Sequence, residues 1–314
     1  MSKGFQTSHP NTCYFCAILQ GVVHTPPLTM YILHEHDDEP SDTPLKKFLH
    51  QYTVLCRQYF QSDQKGLNID SLKKTFNTIH TMFDTVEQQD CGEAYIYLLE
   101  TLHDSMKIKQ RFETTSVQLQ DDDRKQWDMC TTDNYSLITE IFQFQIKYTI
   151  LEQDTPFARQ PYINTNYEHC YSLSLPITAN NLVDILKNYL LPEKDLEIDS
   201  EQNPGSKIRV TKHIQLTHIP LTMVLQLKRF DNMSNKIETL VDYPLQFTMF
   251  QNEYKLFAVV IHTGRHYSGH YYSLCHFQDS WFHVDNDLVV PLGDTRQVIH
   301  RDAYMFFIKE SPKS

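Results

Sequence analysis

The sequence lacks the features of secreted and membrane proteins. No apolar run approaches the roughly 18 residues that are needed to span a membrane. The first residues, MSKGFQTSHPNTCYFC, lack the basic-then-apolar pattern of a signal peptide. The 7 cysteines are odd in number and spread over 314 residues, without the density of a disulfide scaffold. These absences predict a soluble protein with reduced thiols that works inside the cell, in the cytoplasm, the nucleus or both.

Basic residues are too few for a typical nucleic-acid-binding protein. The chain has 28 lysines and arginines against 39 aspartates and glutamates, so its formal net charge is −11. This charge argues against nucleic acid as the main partner and favours a basic protein surface. No repeat or low-complexity tract occurs. With 40% hydrophobic residues, the chain can bury a sizeable core in one large domain or two smaller ones.

Helical patterns come first in the chain and strand patterns follow. Apolar residues at helical spacing predict a helix from Tyr14 to about Val23, and the segment 41–127 is helical in character. Within it, DCGEAYIYLLETLHDSM has Asp90 and Glu93 at the spacing of a capping box. After about residue 140, seven segments rich in Tyr, Phe, Val and Ile predict strands: IFQFQIKYTI, HCYSLSLPI, IPLTMVLQLKRF, YKLFAVVIHT, HYYSLCHF, SWFHVDNDLVV and AYMFFIK. This order predicts an α+β fold with a cleft where the two halves meet.

The stretch HPNTCYFCAILQ, from His9 to Gln20, contains two cysteines three residues apart. The spacing suits half a zinc site, a redox pair, or one reactive thiol beside a bystander. No other C-x-x-C completes a zinc site, and residues 1–12 are too few for the strand that precedes a thioredoxin-like redox motif. Cys13 falls in the first turn of the predicted helix, where unpaired N–H groups and the macrodipole favour a thiolate. We interpret Cys13 as a nucleophile and Cys16 as a packed core thiol.

A nucleophilic cysteine needs a base, and the base needs a group that orients it. The stretch HTGRHYSGHYYSLCHFQDSWFHVDND supplies both. His270 opens one predicted strand and Asp285 closes the next, with a turn near Gln278 to Ser280. In such a hairpin the two residues come within about two or three positions of facing each other. Gly269, before the histidine, allows a backbone or a substrate to approach closely.

Five segments resemble, in the same order, the motifs of the ubiquitin-specific proteases, which are papain-like deubiquitinases. NTCYFCAILQ resembles their cysteine box, and EQQDCGEAYIYLLETLH resembles their Q-Q-D-x-x-E-F segment. LTMVLQLKRFD followed by KIETLVDYPLQFTM is similar to their L-x-L-K-R-F strand and the motif after it. YKLFAVVIHTGRHYSGHYYSL, with WFHVDNDLV and AYMFFI, resembles their histidine box. The resemblance spans residues 11 to 308, so we expect one catalytic domain over 1–314 and no room for an accessory targeting domain.

The resemblance implies a papain-like fold with a helical thumb, a β-rich palm and shortened β fingers. The thumb is expected at about 1–135, the palm at about 136–150, 170–194 and 211–314, and the fingers at about 151–169 and 195–210. It also implies thiol-dependent hydrolysis of the bond after the C-terminal glycine of ubiquitin. The expected partners are ubiquitin or ubiquitinated proteins, and no cofactor is expected.

The same resemblance assigns roles to particular residues. Cys13 is the expected nucleophile, His270 the base, Asp285 the residue that orients it, and Asn286 an assisting polar residue. Four residues are expected to bind the extended tail of ubiquitin, beside a loop at 264–269: Gln89, Asp90, Gly269 and Tyr271.

The first departure from the family lies just before the nucleophile. Ser8 stands where the family commonly has an asparagine that donates to the oxyanion of the tetrahedral intermediate, and Pro10 replaces the usual glycine. Loss of one such donor costs about 10²–10³ in rate. The expected replacements are Ser8 itself, Asn11 or a main-chain N–H near Cys13.

The second departure concerns zinc. ILEQDTPF and SEQNPGSKIRV stand where many family members carry two zinc-binding C-x-x-C pairs, and neither contains a cysteine. We therefore predict that the protein has no structural zinc. The fingers are then expected to depend on strand pairing and on aromatic contacts of Phe157, Tyr162 and Tyr167.

Two alternatives to an efficient deubiquitinase stay open at this point. Ser8 and Pro10 motivate a catalytically weak enzyme, or a pseudo-enzyme that binds ubiquitin without cutting it. The same chemistry could also serve another ubiquitin-like modifier. The sequence identifies no activating partner protein.

Overall fold

The computed structural model describes residues 2–36, 42–107, 121–153, 162–200, 203, 205–265 and 268–311. These residues form eight helices, α1 to α8: Cys13–Val23, Pro26–His34, Pro44–Gln61, Asp70–Ile79, Cys91–Ser105, Asp121–Thr131, Leu137–Phe142 and Leu182–Tyr189. They also form fourteen strands, β1 to β14: Gly4–Gln6, Gly66–Asn68, Phe144–Glu152, Tyr162–Cys170, Leu173–Pro176, Glu193–Asp199, Lys207–His218, Thr222–Lys228, Gln246–Met249, Asn252–Arg265, Ser268–Phe277, Ser280–Asp285, Leu288–Pro291 and Ala303–Glu310. Seven of these helices precede residue 143 and twelve of these strands follow it, which confirms the predicted α+β order. Within the described ranges no single helix is long and apolar enough to cross a membrane, and α1 and α2 reach that length only as a pair bent by 77°.

The larger sheet has eight strands and is covered on both faces at its centre. Its order is β13-β12-β11-β10-β14-β8-β5, with β9 paired to β10. Alternate residues of β10 enter two apolar clusters. Ala258 and Val260 pack with the helices α1, α3 and α5, whereas Val259 and Ile261 pack on the opposite side with α8. Because both faces are buried, the segments YKLFAVVIHT and AYMFFIK are apolar almost throughout.

Helix α1 passes through the helical side of this core. Every residue after Cys13 is buried, and the helix lies against β11, where Ser273 Oγ donates to Ala17 O at 2.8 Å. A Cβ on Gly21 would lie 2.5 Å from the Phe307 ring, so glycine is needed for this close approach of helix and sheet. Cys13 itself is only partly buried. The packing of α1 therefore fixes the position of a thiol at the edge of the core.

Strands β11 and β12 form the hairpin that the sequence predicts. Gln278 and Asp279 form the turn, with φ values of 47° and 62°. Two consecutive positive φ values are those of a type I′ turn, whose twist matches a two-residue hairpin. The register places Asp285 across from Tyr272, two positions from His270, as predicted.

Two predicted strands are each divided in two. SWFHVDNDLVV forms β12 and β13, which are separated by Asn286 and Asp287. Asn286 has a φ of 51°, a left-handed conformation that asparagine adopts more readily than most residues, so the chain turns directly after Asp285. HCYSLSLPI forms the end of β4 and, after a break at Tyr171 and Ser172, the strand β5.

A separate four-stranded sheet, in the order β4-β3-β7-β6, contains described parts of the predicted finger segments. The sheet extends further than those segments, because β3 starts at Phe144 and β7 ends at His218. Residues 145–150 and 212–218, expected in the palm, pair with each other in one antiparallel ladder. One face of this sheet is exposed, so its strands contain many polar residues. For that reason the sequence does not predict β6, β7 or most of β4.

Helix α6 packs on this four-stranded sheet. The indole of buried Trp127 stacks on His218 of β7, with ring centroids 3.7 Å apart and planes 19° apart. On the same helix, Asp123 Oδ1 accepts from Tyr167 Oη of β4 at 2.6 Å and from Lys147 Nζ of β3 at 2.8 Å. One helix therefore contacts three of the four strands through a ring stack, a hydrogen bond and an ion pair.

Of the aromatic residues predicted to hold the fingers, only Tyr167 can be assessed. It contributes a hydrogen bond to α6, and Lys147 Nζ lies 5.8 Å from the centre of its ring. Phe157 and the side chain of Tyr162 lie outside the described residues.

Candidate active site

His270 and Asp285 are joined by a hydrogen bond at the open end of the β11–β12 hairpin. His270 Nε2 lies 2.8 Å from Asp285 Oδ1. The structure thus brings together the two residues that the sequence predicts as base and orienting group. With Nε2–H donated to the carboxylate, the imidazole retains Nδ1 as its second nitrogen and as a proton acceptor.

Cys13 lines a cavity of about 360 Å³ together with His270 and Asn286. Burial raises the pKa of the Cys13 thiol above its ordinary value, although the main-chain N–H groups of Tyr271 and Tyr14 oppose this rise. The sequence predicts that the helix start favours the thiolate. The main-chain donors act in that direction, but burial outweighs them.

Asn286 supports the carboxylate of Asp285 from the turn that follows it. Its Nδ2 donates to Asp285 Oδ1 at 3.2 Å, and its main-chain O accepts from Phe5 N at 2.7 Å. A Cβ on Gly4 would lie 2.5 Å from Asn286 O, so glycine allows β1 to lie directly against this turn. The N-terminal strand therefore holds the turn that positions Asn286.

Ser8, one predicted oxyanion donor, is engaged elsewhere. Its Oγ donates to Asp70 Oδ2 at 3.0 Å and its N–H donates to Asp70 Oδ1 at 2.7 Å. Thr7 Oγ1 donates to the same carboxylate at 2.8 Å. These donors, with the Ser8 N–H as the largest contribution, lower the pKa of Asp70 to about 2. The oxyanion role of Ser8 stays a prediction, and this geometry does not favour it.

Asn11, the other predicted side-chain donor, lines the cavity beside Cys13. Its Nδ2 donates to Val86 O at 2.7 Å, and its φ of 52° is left-handed. A primary amide has two N–H groups, so Nδ2 can donate to Val86 and to an oxyanion at the same time. Asn11 is the better placed of the two candidates.

Asp90 has two sets of contacts. Its Oδ1 accepts from Glu93 N at 2.9 Å and caps α5, which confirms the predicted helix start. Its Oδ2 accepts from Tyr304 Oη at 2.6 Å and from Tyr271 Oη at 3.4 Å. These contacts hold the carboxylate in one orientation, as recognition of a substrate cation requires. Tyr271, also predicted to bind the tail, is thus next to Asp90.

Gln88, the neighbour of the predicted Gln89, lines the cavity. Its Oε1 accepts from Gly269 N at 2.7 Å and so holds the start of β11. A Cβ on Gly269 would clash with His262 Nε2, which explains the glycine at this position. Alternate residues of an extended segment lie on the same side. Because Gln88 is two residues before Asp90, the spacing indicated that Gln88 would lie on the same side as Asp90.

Metal ligands do not cluster in the part of the chain that the structure describes. No group of three or more His, Cys, Asp or Glu side chains there could hold a metal ion. All seven cysteines are free thiols. The absence of structural zinc stays a prediction from the sequence.

The arrangement is suited to acyl transfer by a thiol. A cysteine at a helix start and an imidazole–carboxylate pair border one cavity, which is the set of groups that nucleophilic catalysis by cysteine needs. A family model described as ubiquitin carboxyl-terminal hydrolase matches residues 6–307. The chain belongs to this family. Membership confirms the resemblance to ubiquitin-specific proteases that the motifs indicate.

Curated relatives in the ubiquitin carboxyl-terminal hydrolase family match almost the whole chain at low identity. Ubiquitin carboxyl-terminal hydrolase Usp2 of Drosophila melanogaster is 22% identical over 324 residues, covering 96% of this chain and 34% of the relative. Ubiquitin carboxyl-terminal hydrolase 4 of Saccharomyces cerevisiae (strain YJM789) is 25% identical over 359 residues, covering 95% and 38%. Ubiquitin carboxyl-terminal hydrolase 21 of Homo sapiens is 26% identical over 353 residues, covering 96% and 61%. The chain therefore spans between about a third and three fifths of the length of these relatives.

Solved structures from the family share the fold. In a SAGA DUB module bound to monoubiquitin, which contains a variant of Ubp8 with Sgf11, Sus1 and Sgf73, the matching chain has a TM-score of 0.76 and 19% identity. The match covers all of this chain and 70% of that one. A second structure, with Ubp8 in a module bound to ubiquitin aldehyde, has a TM-score of 0.74 and 18% identity. This likeness confirms the predicted papain-like fold of ubiquitin-specific proteases.

Proposed function

We propose that this protein is a deubiquitinase, which hydrolyses the bond after the C-terminal glycine of ubiquitin with Cys13 as the nucleophile. The observation that carries the proposal is the cavity that Cys13 shares with His270, whose Nε2 is bound to Asp285 at 2.8 Å. Family membership supports the same reaction. Two structural neighbours are DUB modules with Ubp8, one bound to monoubiquitin and one to ubiquitin aldehyde. The substrates are ubiquitinated proteins or ubiquitin chains.

The reaction starts with proton transfer. His270 Nδ1 takes the proton of Cys13, and the sulfur attacks the carbonyl carbon of the last ubiquitin glycine. The negative oxygen of the tetrahedral intermediate is stabilised by donors near the helix start, for which we propose Asn11 and the main-chain N–H of Cys13. Asp285 stabilises the imidazolium that forms, because it accepts from the other ring nitrogen.

The second half of the reaction regenerates the thiol. The imidazolium of His270 gives its proton to the leaving amine, and ubiquitin stays on Cys13 as a thioester. His270 then takes a proton from water, and the hydroxide attacks the thioester carbon. Breakage of the C–S bond returns the proton to the sulfur and releases ubiquitin with a free carboxylate.

We propose that the ubiquitin tail enters along the segment before α5. The fixed carboxylate of Asp90 offers a partner for a basic side chain, Tyr271 donates to it, and Gly269 donates to Gln88, two residues before Asp90. Gln89 adjoins Asp90 in the same segment and is proposed to contact the tail as well. Gly269 is proposed to lie along the extended backbone of the tail.

The proposed setting is the cytoplasm, the nucleus or both. Seven free thiols support a reducing compartment, and the net charge of −11 argues against a nucleic-acid partner. The proposed partner is therefore ubiquitin in a conjugate, and no cofactor enters the reaction.

Turnover of a fluorogenic substrate attached to the ubiquitin C-terminus tests this proposal. The wild-type protein should release the fluorophore, whereas Cys13→Ala should not. No turnover by folded wild-type protein that still binds ubiquitin would support the pseudo-enzyme instead. That alternative has one observation in its favour, since Ser8 is bound to Asp70 where the family commonly has an oxyanion donor.

A further inference from the structure

Cys16 is the half of the C-x-x-C stretch that the proposed hydrolysis does not use. We propose that Cys13 and Cys16 form a reversible disulfide when the protein reacts with a peroxide, so that the start of α1 is a site of oxidative modification. The inference rests on the proposed function only in what the disulfide does to activity, because the bond removes the thiol that serves as the nucleophile. Formation of the bond does not require that the protein cleaves ubiquitin.

The spacing of the two thiols on α1 permits the bond. The helix begins at Cys13, and Cys16 lies one turn further along. Residues three apart in an α-helix lie on one side, with Cα atoms about 5 Å apart by helix geometry. Disulfides join Cα atoms separated by about 4.4–6.8 Å.

The first turn of α1 can tighten to close the bond. The Cβ atoms of residues at this spacing are about 5–6 Å apart in a regular helix, whereas a disulfide brings them to about 3.5–4.5 Å. The change falls in the first turn, where Thr12 O accepts both from Phe15 N, at the i→i+3 spacing of a tighter helix, and from Cys16 N, each at 3.0 Å. The first N–H groups of a helix also lack intrahelical partners. A disulfide with some strain is readily reduced, which makes the modification reversible.

The surroundings of the two thiols set the order of reaction. Cys13 is partly exposed and faces the cavity, whereas Cys16 is buried beneath it. Burial raises the pKa of Cys16 to about 12, so it stays protonated while Cys13 meets the oxidant first. A side-chain hydrogen bond with Thr12 and, to a smaller extent, the charge of buried Lys73 favour the ionised form of Cys16.

The chemistry uses one peroxide and two thiols. The Cys13 sulfur attacks one oxygen of hydrogen peroxide, the O–O bond breaks, and the products are a sulfenic acid on Cys13 and water. The Cys16 sulfur then attacks the Cys13 sulfur, and the S–O bond breaks. The leaving hydroxide takes the proton of Cys16 and becomes the second water. A dithiol such as dithiothreitol returns both residues to thiols and is itself oxidised to a disulfide.

Cys91 is the competing partner, because its pKa is also influenced by Cys13. Cys91 is fully buried at the start of α5, and its thiol is directed at Met305 Sδ, 3.5 Å away. A bond to Cys91 would have to join two separate helices. A bond between Cys13 and Cys16 needs only one helical turn to move.

Mass spectrometry of the full chain after mild peroxide treatment tests the proposal. Remaining thiols are blocked with N-ethylmaleimide and the protein is digested with trypsin without reduction. Trypsin should release residues 4–46 as one peptide, because no Lys or Arg occurs in it before Lys46. The cysteines of this peptide are Cys13 and Cys16. A disulfide makes this peptide about 2 Da lighter than the dithiol and leaves no site for the blocking reagent. Dithiothreitol should then restore both thiols and all of the lost labelling by a ubiquitin C-terminal electrophile.

Two variants provide the controls. Cys16→Ala keeps an apolar side chain in the core, and its Cys13 should proceed to sulfinic and sulfonic acids, which are about 32 and 48 Da heavier and are not reversed by dithiothreitol. Cys130→Ser removes an exposed thiol far along the chain and should form the same disulfide as wild type. Wild-type Cys13 that passes directly to sulfinic acid, or that joins the peptide containing Cys91, overturns the proposal. Loss of ubiquitin cleavage for another reason leaves this mass result unchanged, so the two proposals fail separately.

Discussion

The eight-stranded and four-stranded sheets differ in how they are covered. In the larger sheet, β10 and β14 are buried over most of their length, with helices on one face and α8 on the other. In the smaller sheet, β3 is buried only over its first three residues and β6 has no buried residue. His270 and Asp285 lie on strands of the larger sheet, and Cys13 lies on the helix packed against it.

The proposed catalytic residues therefore belong to the well-packed part of the molecule and not to the half-exposed four-stranded sheet. Catalytic groups must be held to within a fraction of an ångström, which needs elements whose side chains are locked by packing. The four-stranded sheet offers a half-exposed surface instead, which suits contact with a protein partner. We therefore expect changes in the larger sheet to alter the reaction at Cys13, and changes in the smaller sheet to alter stability or binding.

The largest effect is expected for Asp285→Asn. The amide still orients His270 but stabilises its charged form less well, so turnover should fall while the fold is kept. The analogous change in a serine protease costs about 10⁴ in rate. A thiolate–imidazolium pair depends less on that charge, so we expect a loss of about 10²–10³ in kcat. Asp287→Asn, two residues later, is the matched control. Unchanged turnover in Asp285→Ala would move the orienting role to Asn286 or Asp287.

Trp127→Ala should destabilise the four-stranded sheet without changing the reaction at Cys13. Removal of a buried tryptophan costs about 3–5 kcal/mol of unfolding free energy, and the stack on His218 is lost with it. The melting temperature should fall, whereas the alkylation rate of Cys13 in the folded variant should stay the same. Met129→Ala, at a 73% exposed position of the same helix, should change neither. A slower or faster alkylation of Cys13 in Trp127→Ala would show that the two regions are coupled.

Asp90 lies between the helices and the larger sheet, and two substitutions separate its contacts. Asp90→Asn keeps an oxygen to cap α5 but removes the charge and puts an amide N–H where Oδ2 accepts from Tyr304 and Tyr271, so KM for a ubiquitin substrate should rise while the cap is kept. Asp90→Ala should also lose about 0.5–2 kcal/mol of stability with the cap. Both variants should alkylate at Cys13 at near-normal rates. An unchanged KM in Asp90→Asn would reduce Asp90 to a helix cap.

The smallest effect is expected from chelation of metal. The described part of the four-stranded sheet is held by the β3–β4 and β3–β7 ladders and by the Asp123 contacts to Tyr167 and Lys147. We predict that EDTA changes neither the melting temperature nor turnover, and that elemental analysis finds no stoichiometric zinc. One tightly bound zinc per chain, with melting lowered by EDTA, would contradict the prediction.

Local patterns predicted the parts of the site that lie close together in sequence. The His270–Asp285 hairpin needs only a two-residue turn, and the cap of α5 needs only Asp90 and Glu93. The family motifs assign Cys13 to the same site, although it lies 257 residues before His270 (270 − 13). These predictions depend on short spacing or on a motif, and both are visible in a sequence.

Contacts between distant segments were not predictable in this way. Tyr304 donates to Asp90 across 214 residues, and Ser8 donates to Asp70 across 62. Neither pair has a local pattern, because the contact exists only after the strands and helices have packed. The stacking of Trp127 on His218 is similar, since α6 is mostly polar and gives no sign of the surface that it covers.

Labelling with a panel of C-terminal propargyl probes, made from ubiquitin and from several ubiquitin-like modifiers, tests the central claim most directly. The claim is that Cys13, served by His270 and Asp285, is a nucleophile for ubiquitin. The ubiquitin probe should form a covalent adduct, mapped by mass spectrometry to Cys13, faster than the probe of any other modifier in the panel. Cys13→Ala should form none. Absence of an adduct on folded protein whose Cys13 still alkylates, or faster labelling by another modifier, would contradict the claim.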